Sequence, residues 1–128
     1  DVVTCAQGLV GQVTQVSPFT CVVTLLIDRD GRAGAMSART FAKGVVQGTG
    51  ERVCKLSYLD FAADVREGDL VTTSGLLTGR GAIFPKGIVI GRVVRVAKDK
   101  TYSRQEAFIE PSVPFDRISA VWVRVGAG

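Results

Sequence analysis

Between Asp69 and Val93 the chain reads DLVTTSGLLTGRGAIFPKGIVIGRV, two strand-like runs on either side of a bend dense in glycine and proline. Leu70, Val71, Thr72 and Thr73 form a β-branched run that favours extended backbone, and Gly68 before it suits a tight turn needing positive φ. Ser74 and Gly75 end that run. Gly79, Gly81, Pro85 and Gly87 then impose rigid or left-handed positions before Ile88 to Val96 resumes as a long apolar strand. Such a segment is an ordered corner between two β-strands, and it leaves no room for a helix.

The same grammar runs along the whole chain. Strands are predicted near 9–16, 20–28, 33–38, 43–46, 53–59, 70–73, 88–97, 104–110 and 120–125, divided by turn signals at Ser17-Pro18, Asp30-Gly31, Gly48-Thr49-Gly50, Glu67-Gly68 and 111–114. Short strands at this spacing predict an all-β fold of small barrels or a sandwich, and 15 glycines in 128 residues supply the bulges and corners that small barrels need. Leu59 to Arg66 is the one helical candidate; Asp60 would cap a single turn there. An apolar content of 46% supplies a real core. No apolar run reaches the roughly 18–20 residues of a spanning helix.

Three blocks in order resemble one family. The first is GLVGQV at 8–13 followed by TCVVTLLIDRD at 20–30. The second is Gly68, Asp69, then Thr73, Ser74, Gly75 and Leu76, then Phe84, Pro85, Lys86 and Gly87, then Ile90, Gly91, Arg92 and Val93. The third is FIEPSVPFDRISAVWV at 108–123. Together they resemble the β-rich extracytoplasmic region of the rod shape-determining MreC family. The segment 76–83 is longer than that family's usual link. Asp1 to Thr4 resembles the middle of its β region, so the membrane helix, the coiled coil and the first strands of such a protein would precede residue 1.

The resemblance implies a two-barrel arrangement with the first barrel incomplete: a second small barrel over 28–98, and the remainder of the first from 1–27 and 99–128. It implies a non-catalytic scaffold of cell elongation. The partners it implies are a penicillin-binding transpeptidase, MreD and MreB-type proteins, with self-association through exposed strand edges. It also implies a place on the extracytoplasmic face of the inner membrane, with membrane attachment only through an absent N-terminal helix.

The net charge of +4 and pI near 9.3 raise an alternative, a basic OB-like barrel that binds single-stranded nucleic acid through arginines and the aromatics Phe108, Trp122 and Tyr102. The arginines are scattered among acids such as Asp28, Asp30, Glu51, Glu67 and Glu106, which reads instead as a mixed-charge surface without nucleic acid. Catalysis has little to work with. The chain has no histidine, which removes the Ser-His-Asp and Cys-His arrangements and the commonest metal ligand, and no cofactor or metal site is expected. Ser74 is outside any G-x-S-x-G elbow, Lys86-Gly87 reverses the order of a phosphate loop, and Asp60 with Asp64 is a weak carboxylate pair.

Three cysteines make no disulfide framework. Alternation places Cys21 with Val23, Leu25 and Ile27 on a buried face, and Cys54 with Leu56 and Tyr58 on another; a Cys5 to Cys54 bridge is the alternative in an oxidising compartment. Two aromatics fall on charged faces, Trp122 beside Arg124 and Phe108 among Arg104, Glu106 and Glu110. With Tyr102 and the Phe84-Pro85 bend they are the expected partner contacts, unless a facing barrel covers them.

Overall fold

The computed structural model describes residues 2–75, 84–117 and 121–124. Among these described residues ten strands follow in chain order: β1 (Val2–Cys5), β2 (Gly8–Val16), β3 (Cys21–Leu25), β4 (Arg32–Ser37), β5 (Lys43–Gln47), β6 (Cys54–Leu59), β7 (Leu70–Thr73), β8 (Val89–Asp99), β9 (Arg104–Pro111) and β10 (Trp122–Arg124). Six close into a barrel in the order β4-β5-β6-β9-β8-β7, and four form an open sheet in the order β10-β1-β2-β3. Every pairing is antiparallel.

The barrel forms because its inward positions are apolar and small. Val46, Cys54, Leu56, Val71, Ile90, Ala107 and Ile109 are fully buried, and a six-stranded barrel has room for little more than such side chains. The sheet has a separate small core of Val3, Cys5, Val10 and Val113, against which Val13, Val23, Leu25 and Phe115 pack. Leu9 and Val2 of the sheet join the barrel core, so the two units share one apolar seam. At that seam a Cβ on Gly8 would collide with the carbonyl oxygen of Val89, which only glycine avoids.

Thr73 fastens the β–β corner. Its hydroxyl donates to the Pro85 carbonyl and accepts from the Ile88 N–H at 2.8 Å, while the Gly87 N–H donates to the Thr73 carbonyl at 2.9 Å. The part of the bend from 76 to 83 lies outside the described residues.

Several expectations need correction. The barrel does not close at residue 98: β9 pairs with both β6 and β8, so the closed unit runs from Arg32 to Pro111. Val2–Cys5 is a strand between β10 and β2, although four residues are too few to show a period. Within Leu59 to Arg66, where one helical turn at most was expected, Leu59 ends β6 and residues 60–63 form a single turn, the Ala63 N–H donating to the Asp60 carbonyl at 2.9 Å and the Ala62 N–H to the Asp60 carboxylate at 2.9 Å. Gln105 fastens it from within, donating to the carbonyls of Asp60 at 2.9 Å and Ala63 at 3.0 Å.

Cys21 is exposed, because it pairs with Val16 at the far end of the β2–β3 hairpin, beyond the reach of either core. Tyr58 is 83% exposed rather than sharing the inner face with Cys54. Leu56 pairs with Ala107 and Leu59 with Gln105, so an extra residue bulges between them, and Tyr58 takes a left-handed φ of 62°.

Candidate functional site

Of the five expected contact residues, the structure brings Trp122 to the Phe84–Gly87 bend. Trp122 lies on β10, where pairing with Thr4 fixes it beside the β1–β2 turn. Together with Cys5, Gln7, Lys86, Ile88 and Val89 it lines a cleft of about 350 Å³ at the seam between sheet and barrel. Trp122 is 64% exposed, and Pro85 stands exposed one residue before Lys86. Phe84 does not offer its ring: it is only 3% exposed and packs in the barrel core, so it supports the bend from beneath and is no surface contact.

Phe108 and Tyr102 lie elsewhere, on the β8–β9 hairpin. Phe108 is half-buried, with the Arg95 guanidinium 4.2 Å above its ring. Tyr102 is exposed in the turn, with Arg104 at 5.7 Å from its ring centre. Facing arginines, rather than a second barrel, partly cover these rings. A larger cleft of about 520 Å³ holds none of the five; Leu25, Ile27, Arg52, Pro111, Phe115 and Asp116 are among the residues that line it.

The groups with chemical potential serve the fold. Burial pushes the Cys54 thiol up to about 12, which makes it a poor nucleophile, and all three cysteines are free. Asp69 accepts a bidentate pair from Arg39, Nε at 2.9 Å and Nη2 at 3.0 Å, and also the Arg66 N–H at 2.9 Å. The same Arg39 reaches Asp64 at 3.0 Å. These contacts, Arg39 foremost, hold the Asp69 and Asp64 carboxyls below the usual carboxylate range and raise Arg39 further. Asp64 is thus committed to an ion-pair clasp and is no partner for Asp60 in acid–base chemistry. Among the described residues Lys86 is the one charged side chain lining the 350 Å³ cleft, and the other lining residues are neutral.

Alternation found Trp122 and Phe108, because both lie on regular strands. Tyr58 and Arg95 were missed, since each reaches the surface through a β-bulge that breaks the period of two. Lys86 stood in the sequence block FPKG, but nothing there placed it beside a tryptophan.

Residues 1–125 match the family described as rod shape-determining protein MreC, barrel core. The cell shape-determining protein MreC of Listeria monocytogenes is 31% identical over 126 residues, 94% of this chain and 41% of that protein. A crystal structure of MreC from Pseudomonas aeruginosa superposes with a TM-score of 0.84 at 32% identity, covering 94% of this chain and 76% of the other. A complex between a penicillin-binding protein and MreC from Helicobacter pylori shares the fold, with a TM-score of 0.68 at 18% identity over 84% of this chain and 64% of the other. The chain spans less than half the length of the curated relatives it matches. The pairing order, the Thr73-fastened corner and these matches give one conclusion: the chain belongs to the MreC family and carries its barrel core.

Proposed function

We propose that this chain is a scaffold module of the bacterial cell-shape machinery, acting by binding rather than by catalysis, on the extracytoplasmic face of the inner membrane. The observation that carries the reading is Trp122, 64% exposed at the mouth of a mostly neutral cleft. A large aromatic beside a preformed recess is a common anchor for a protein contact, because it contributes area at small entropic cost.

The partner this reading favours is a penicillin-binding transpeptidase, in keeping with the Helicobacter pylori complex of a penicillin-binding protein with MreC. MreD and MreB-type proteins follow from the family resemblance alone. Self-association has a physical route in the edges of β3 and β10, which are unpaired among the described strands.

The test is capture of a purified transpeptidase ectodomain by this chain and by Trp122→Ala at low and physiological salt. Binding that resists salt and falls about tenfold or more with the variant is expected. Undiminished capture by Trp122→Ala moves the contact away from this cleft, and no capture by the folded parent chain removes the proposal for this partner.

A further inference from the structure

Two β-bulges aim side chains at the same outer surface of the barrel. On β8, Val93 pairs with Ile109 and Arg95 with Phe108, so Val94 is the extra residue. Val93 points inward and is 2% exposed; in a regular strand Arg95 would share its face. The bulge instead turns Arg95 outward, directly opposite Phe108, with its guanidinium 4.2 Å from the ring centre. On β6 the second bulge sets Tyr58 outward at a φ of 62°, a left-handed conformation that strains a bulky residue. Nothing in the barrel core uses either side chain.

The charges on this face are also sorted. Lys55, Phe108 and Arg95 lie in one row across β6, β9 and β8. Lys55 is neutralised by Glu106 at 2.6 Å, and the Asp99 carboxylate caps the hairpin turn, accepting from the N–H groups of Thr101 at 3.0 Å and Tyr102 at 3.4 Å. Among the described residues, Arg95 and Arg104 have no ion pair or side-chain hydrogen bond and rest only on their rings. A guanidinium held over a ring by cation–π attraction keeps N–H donors available, which suits a carboxylate.

We propose that this outer face of β6, β9 and β8 is a second docking surface, separate from the Trp122 cleft, and that its occupant is a carboxylate-bearing segment of a protein partner. Charge complementarity selects that occupant. Nucleic acid fits less well, because the Arg95 guanidinium, 4.2 Å from the Phe108 ring centre, occupies the ring face on which a base would stack. Arginine and tyrosine fixed together on a rigid sheet are the residue types that dominate protein contacts.

The experiment is a nuclear magnetic resonance titration of the chain with a short oligoglutamate peptide and, separately, with an oligothymidylate of equal charge. Peptide-induced shifts confined to β6, β8 and β9 are expected, with Arg95→Ala weakening binding about tenfold and Arg117→Ala by less than about twofold. Tyr58→Gly gives an independent readout: relief of the left-handed strain should raise the melting temperature by a few degrees while peptide binding falls. Trp122→Ala should leave this titration unchanged, which separates the proposal from the cleft. Equal or tighter binding of the oligothymidylate, equal losses for Arg95→Ala and Arg117→Ala, or no peptide-induced shifts would each overturn it.

Discussion

Phe84 and Trp122 show how one residue class takes two roles according to what lies beneath it. Phe84 follows a glycine-rich bend that sequence alone reads as surface, yet the bend folds its ring into the barrel core. Phe84→Ala is therefore expected to cost about 3–5 kcal/mol of stability, and Trp122→Ala only about 0.5 kcal/mol or less, measured by denaturant midpoints. An equal cost for both would contradict the burial of one and the exposure of the other. The cysteines divide in the same way. Cys21 is exposed, Cys5 and Cys54 are buried, and the Cys54 thiol is pushed up to about 12, so alkylation of the native protein near neutral pH should label Cys21 alone. Labelling of Cys54 before unfolding would show that the barrel opens locally.

At the scale of elements, the strands were legible because their apolar positions recur every second residue, and the turns because glycine and proline mark them. Among the described residues, nine of the ten strands fall where alternation and turn signals place them. What was not legible has a physical cause each time. The β6 and β8 bulges shift the inside–outside register by one residue, which misassigned Tyr58 and hid Arg95. Membership of β9 in the closed barrel depends on pairing with β6, some 50 residues earlier, and no local pattern reports such a partner. The clasp that ties the β4–β5 turn to the start of β7 was equally silent, since Arg39 lies 25 residues before Asp64 and 30 before Asp69. It carries a pH dependence. The Asp69 carboxyl is held below its ordinary value in the folded chain, so its stabilising effect is fully present above about pH 4 and is lost as pH falls through the lowered folded value. Asp69→Asn should flatten the acid limb of the stability profile, and the conservative Arg39→Lys, which loses the bidentate geometry, should flatten it partly. A profile unchanged by Asp69→Asn would mean that other carboxylates govern acid unfolding.

The molecule as a whole separates charge from neutrality. None of its 16 basic and 12 acidic side chains lies between Val2 and Ile27, which supply three of the four strands of the open sheet. A chain of net charge +4 repels its own copies over the barrel, whereas the sheet offers a face without that repulsion. The outer edge of β3 is unpaired among the described strands and holds no lysine, proline or other charge of the kind that guards such edges. Val16, Phe19 and Val22 are exposed on the same hairpin and add apolar area to it. The expected consequence is concentration-dependent self-association through β3. Val22→Lys, at a position already 52% exposed, should leave the melting temperature nearly unchanged and shift sedimentation toward monomer at concentrations where the parent chain associates. Association that persists in this variant would exclude the β3 edge and direct attention to β10, the sheet's other edge among the described strands.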